Sequence, residues 1–69
     1  KIYPNPTSSV LNIEGVPTGY NVILRDITGK ILNSNFENGQ MYVGDKAKGI
    51  YLLEIIGTEN KAIRRFTVE

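Results

Sequence analysis

The chain has 69 residues, one domain's worth, with a formal net charge of +1 and neither cysteine nor histidine. That composition excludes a disulfide framework, the usual nucleophile–base pairs and the usual transition-metal ligands, and near-neutrality gives no pull toward nucleic acid or an anionic membrane surface. An apolar content of 41% against 22% charged residues reads as globular rather than disordered, and no apolar run nears the roughly 20 residues of a membrane-crossing helix.

The opening Lys1-Ile2-Tyr3-Pro4 has no starting Met and no apolar run of a signal peptide behind it. It reads as the start of a domain excised from a larger secreted protein, with any export signal upstream. Pro4 and Pro6 fix their own φ and bias the residues before them to extended geometry. Tyr3 through Pro6 is therefore expected to be a stiff, extended lead-in, and residues 1–9 are the one segment able to act as a hinge. Val10 to Ile13 predicts a short strand with Leu11 and Ile13 inward. Tyr20 to Asp26 puts Tyr20, Val22 and Leu24 on one face at period two, with Asn21 and Arg25 on the other.

Asp26-Ile27-Thr28-Gly29-Lys30 fits a type I turn closed by a left-handed Gly29, with Asp26 accepting from the Thr28 backbone. Residues 31–36 and 40–43 read as further strands joined through Asn38-Gly39, a strong hairpin signal. Gly44 to Gly49 is a polar turn, without the spacing of a phosphate loop. Tyr51, Leu53 and Ile55 alternate with Leu52 and Glu54. Residues 57–60 then lead to a last strand in which Phe66 and Val68 alternate with Arg65, Thr67 and Glu69. Seven Gly and three Pro leave no room for a helix longer than a turn. The fold expected is an all-β, antiparallel sandwich of about seven short strands over residues 1–69. Tyr20, Val22, Leu24, Tyr51, Leu53, Ile55, Phe66 and Val68 should be mostly buried.

Chemistry is hard to find. The acids Glu14, Asp26, Glu37, Asp45, Glu54, Glu59 and Glu69 are dispersed, form no calcium-loop ladder, and read as solvated. Asn5-Pro6-Thr7 fails as a glycosylation acceptor because Pro holds the middle position. Four Tyr among basic residues lack the aromatic and basic strand of an RNA-binding sheet. The chain reads as no enzyme, with no cofactor, metal or nucleic acid.

Four pieces occur in a set order. Tyr3-Pro4-Asn5-Pro6-Thr7 precedes Val10-Leu11-Asn12-Ile13. A strand ends in Asp26, followed by Gly29-Lys30. Gly49-Ile50-Tyr51-Leu52-Leu53-Glu54-Ile55 comes third, and Arg64-Arg65-Phe66-Thr67-Val68 last. Over essentially the whole chain this set resembles the C-terminal sorting domain of type IX secretion cargo in Bacteroidota. The resemblance implies an Ig-like β-sandwich that guides an upstream cargo domain of the same chain from the periplasm across the outer membrane. It implies two partners, a translocon and a sortase-like peptidase, and delivery to the cell surface or medium. The motif residues Pro4, Asn5, Pro6, Asp26, Gly29, Lys30, Gly49, Tyr51, Arg64 and Arg65 become the candidate recognition set. The family often carries Leu three positions before the G-x-Y glycine. Here that position is Lys46, so the anchor is either lost or replaced by Ala47. The family also often ends in a basic residue, where this chain has Glu69.

Each piece also has a purely structural reading. The prolines set an angle, Gly29 and Gly49 serve backbone geometry, and Tyr51 is a core residue whose hydroxyl needs one partner. Arg64 and Arg65 point to opposite faces and can protect a sheet edge from aggregation. The rival function is an Ig-like or fibronectin-like accessory module that binds carbohydrate or spaces the domains of an extracellular enzyme. Such a module can sit anywhere in its protein and should expose a row of aromatic rings on one sheet, whereas a sorting tag is its chain's last domain.

Overall fold

Period-two alternation broken by turn residues yields strands and nothing else. The computed structural model, which describes residues 1–69, has eight of them. They are β1 (Ile2–Tyr3), β2 (Val10–Ile13), β3 (Asn21–Asp26), β4 (Ile31–Leu32), β5 (Phe36–Glu37), β6 (Gln40–Tyr42), β7 (Gly49–Ile56) and β8 (Lys61–Val68). One four-stranded sheet runs β1-β2-β6-β5, and the other runs β4-β3-β7-β8. All strand pairs are antiparallel.

The strand count is eight rather than about seven because residues 31–36 do not form one strand. Ile31–Leu32 pairs with β3, while Phe36–Glu37 pairs with β6 in the opposite sheet. The chain changes sheets between them. Asn38 and Gly39 both take positive φ, 52° and 75°, as the hairpin between β5 and β6 requires.

The inner faces meet in one core: Leu11 and Ile13 from β2, Met41 and Val43 at β6, and Leu24, Tyr51, Leu53, Phe66 and Val68 from the larger sheet. Five of the eight residues expected inside are buried outright. Tyr20, Val22 and Ile55 are half-buried, because they lie toward the open end of the sandwich. The Tyr20 ring lies on Gly57, where any side chain would collide with it. Tyr51 and Phe66 stack at 5.9 Å, and the Tyr51 hydroxyl donates to the Ala47 carbonyl. Ala47 itself is exposed and fills no anchor position. The Lys46 side chain is only 14% exposed, with its ammonium 3.0 Å from Asp45. A lysine stem covers apolar surface while its charge stays at the rim.

Two expectations fail at the N-terminus. Residues 1–9 are no hinge, because Ile2 and Tyr3 pair with Ile13 and Asn12. Tyr3 to Pro6 is not extended, since residues 4–6 are bends. The chain must cross here from one sheet to the other. Tyr3 belongs to the β2 side, while Thr7 makes a parallel bridge to Val68 at the end of β8. Thr7 is also buried, at 3% exposure, with its hydroxyl donating to the Val10 carbonyl.

Candidate functional site

The larger sheet carries the last three sequence pieces and receives the first through Asn5 and Thr7, while that piece's Tyr3 and Val10–Ile13 belong to the smaller sheet. At one end, the Asn5 side chain accepts a hydrogen bond from the Thr67 backbone N–H at 3.0 Å. Thr7 donates its N–H to the Thr67 carbonyl at 2.9 Å and accepts from the Glu69 N–H at 2.8 Å. The first piece is thus clipped to the last across 62 residues of sequence. Pro4 and Pro6 flank Asn5 and hold the crossover that delivers it.

The turn after β3 is closed by Asp26. Its carboxylate oxygen accepts from the Thr28 backbone at 2.9 Å, the Thr28 hydroxyl at 2.6 Å and the Lys30 backbone at 3.0 Å. Backbone bonds from Gly29 to Asp26 and from Asp26 to Lys30 complete it. Gly29 has φ 93° with open space where a side chain would be. Its substitution therefore tests backbone strain alone. Gly29→Ala is expected to cost about 1–2 kcal/mol by chemical denaturation.

Arg25, just before this turn, ties it to the rest of the sheet. Its guanidinium donates to the Gly29 carbonyl at 2.8 Å and to Glu54 on β7 at 2.9 Å. The other Glu54 oxygen lies 3.3 Å from the Lys61 ammonium on β8. Glu54 is therefore not a solvated acid. It is 6% exposed, and two cations from neighbouring strands compensate its burial. Sequence reasoning missed Glu54, Arg25, Lys61 and Thr7. The alternation of Leu52 and Glu54 with Tyr51, Leu53 and Ile55 was visible, but the cross-strand cations beside Glu54 were not.

Arg25 holds the Glu54 carboxyl below its ordinary range, with Lys61 adding to the effect and burial opposing it. The Thr28 hydroxyl, then the Lys30 and Thr28 backbone, hold Asp26 low against partial desolvation. Both values are lower folded than unfolded. The unfolded chain thus binds more protons at acid pH, and stability rises with pH. The contribution is complete above the ordinary carboxylate range of about 4 and is lost as pH falls through the lower folded values. Thermal melts should show Tm falling steadily below about pH 4.5. Asp26→Asn with Glu54→Gln should flatten that slope.

The remaining candidates divide. Gly49 opens β7 opposite Val68, and Tyr51 is a core residue, 8% exposed, so both serve the fold. Arg64 and Arg65 are exposed on β8, an edge strand. By period two, Arg65 joins Leu52 and Arg25 on the outer face, while Arg64 shares the inner side with Leu53.

The two outer faces differ sharply. On the smaller sheet, Asn12 receives a hydrogen bond from Gln40 and donates to the Tyr3 carbonyl, making a polar ladder. On the larger, Ile31, Ile50 and Ile63 are 58%, 40% and 52% exposed around the Arg25–Glu54–Lys61 chain. The exposed rings, Tyr3 and Tyr42, lie on the smaller sheet, on strands separated by β2. They form no aromatic row of the kind a glycan-binding module needs.

A family model described as the secretion system C-terminal sorting domain matches residues 1–69, the whole chain. No curated protein gives a significant match.

Proposed function

Because the chain belongs to the family of secretion system C-terminal sorting domains, the signals that mark cargo for type IX secretion, we propose that its larger sheet is the surface the export machinery reads. In this reading residues 1–69 are one sorting domain of a longer secreted precursor. The domain itself performs no chemistry. A translocon recognises it after the precursor reaches the periplasm, and a sortase-like peptidase acts on the junction with the cargo upstream. The cargo ends on the cell surface or in the medium.

The supporting observation is the Asn5–Thr67 clip. A signal made of separate short motifs needs a device that presents them together, and this bond joins the first motif to the last. The turn motif reaches the same sheet through Arg25 and Glu54. Candidate contacts are then the exposed members of the set: Pro4, Asn5 and Pro6 at the crossover, Lys30 at the turn, and Arg64 and Arg65 on β8. Asp26, Gly29, Gly49 and Tyr51 shape the surface from behind.

The test is a fusion of residues 1–69 to the C-terminus of a periplasmic reporter in a host with type IX secretion. The reporter is expected at the surface or in the medium. A folded fusion retained in the periplasm, in a host exporting its own cargo, would overturn the proposal.

A further inference from the structure

Strand β8 is the longest edge in the molecule, eight residues against two in each of β1, β4 and β5. Its backbone bonds alternate. Thr67 turns both its N–H and its carbonyl away from β7, toward Asn5 and Thr7. By the period of two, Ile63 and Arg65 turn theirs the same way, and no strand lies beyond them. The crossover closes the edge at Thr67 and stops there. What remains is a short stretch of strand with no neighbouring strand and its backbone groups aimed outward.

The side chains along that stretch are selective. Arg65 stands on the outer face and Arg64 on the inner side, so a cation flanks the open edge on both faces. Arg64 donates to the carbonyl of Ile63 at 3.1 Å, so its guanidinium lies along the edge and caps that one outward carbonyl until an incoming strand displaces it. Lys61 follows at the strand's start. On the inner side, Arg64 helps line a cavity of about 210 Å³ at the end of the sandwich, with Tyr20, Ile55, Ala62 and Glu14 also in its wall. On the outer side, Ile63 and Leu52 offer apolar surface.

We propose that β8 is a β-augmentation site that takes an extended, acidic strand of a partner protein, paired along Ile63 to Arg65 with its carboxylates facing Arg64 and Arg65. The inference rests on the reading of this sheet as the recognition surface and names the chemistry of what it recognises. A second copy of the chain is the wrong occupant. Antiparallel pairing of two β8 edges through Ile63 and Arg65 sets Arg64 directly against Arg64 on the inner side, with the two Arg65 side chains close by on the outer face, and like charges directly opposite repel. A strand with carboxylates at adjacent positions meets one arginine on each face, and its backbone completes the open ladder. The cavity inside the edge accepts its inward apolar side chain.

The probe is a capped peptide of about eight residues alternating valine and glutamate in adjacent pairs, enough to span the open edge. Lysine and glutamine versions serve as controls. Titrated into the 69-residue chain and followed by amide NMR, the acidic peptide should shift Ile63 and Arg65 most. It should bind at least about tenfold more tightly than the lysine peptide, with the difference shrinking as salt rises. Arg64→Glu with Arg65→Glu should reverse the preference while leaving the melting curve near that of the parent. Equal binding of all three peptides, shifts centred away from β8, or sedimentation of the free chain as a dimer through β8 would overturn the proposal. Export of the reporter fusion without acidic-strand binding would remove this inference and leave the sorting reading. Acidic-strand binding without export would do the opposite.

Discussion

Replacing Leu53 with alanine is expected to lower the unfolding free energy by about 2–5 kcal/mol. Leu53 is 0% exposed and sits in β7, a central strand of its sheet, paired with Leu24 on one side and Arg64 on the other. It belongs to the core cluster that also contains Leu11 and Met41 from the opposing sheet. Truncation removes apolar contacts and leaves a cavity that two stiff sheets cannot close. Domains this small have little reserve, since net stabilities run about 5–15 kcal/mol and small chains bury less of their surface. The change can therefore remove most of the margin. Urea melts measure it, with Ile50→Ala as the control. Ile50 is 40% exposed on the outer face, and its truncation should cost far less. A loss below about 1 kcal/mol for Leu53→Ala would mean the core does not rest on this strand.

Deletion of residues 62–69 should abolish both folding and export. It strips Phe66 and Val68, 1% and 3% exposed, from the core and leaves β7 as an open edge. It also leaves Asn5 and Thr7 without their partners on β8, so the crossover loses what holds it. Deletion alone cannot separate structure from recognition. The paired change Arg64→Gln and Arg65→Gln can, because both side chains are exposed and such swaps typically alter stability by no more than about 0.5 kcal/mol. Export of the fused reporter should fall while the melt stays in place. Full export by the paired variant would reduce β8 to a structural element and leave recognition to the crossover and the turn.

Local patterns carried the sequence reading a long way. The Asp26–Lys30 turn and the Asn38-Gly39 hairpin were legible because each depends on conformations that few residues tolerate and on bonds within five residues. Leu24, Leu53, Phe66 and Val68 were legible because a strand with one face in a core must alternate. The ordered motif set pointed to the sorting family, and the match over residues 1–69 agrees with it. The first nine residues were misread because two prolines speak only of local φ. They do not reveal that the chain must change sheets between Tyr3 and Thr7.

The sequence by itself determined the class of the protein: all-β, its turns, its core alternation and its family. Tertiary structure alone decided what the motifs do together. Asn5 meets Thr67, Glu54 is buried between Arg25 and Lys61, and β8 is left with an open, doubly basic stretch of edge. The physical reason is range. Turn chemistry and strand periodicity act over a few residues and leave a mark in the local sequence. Strand order and register join residues tens of positions apart, and they are selected by the whole core at once.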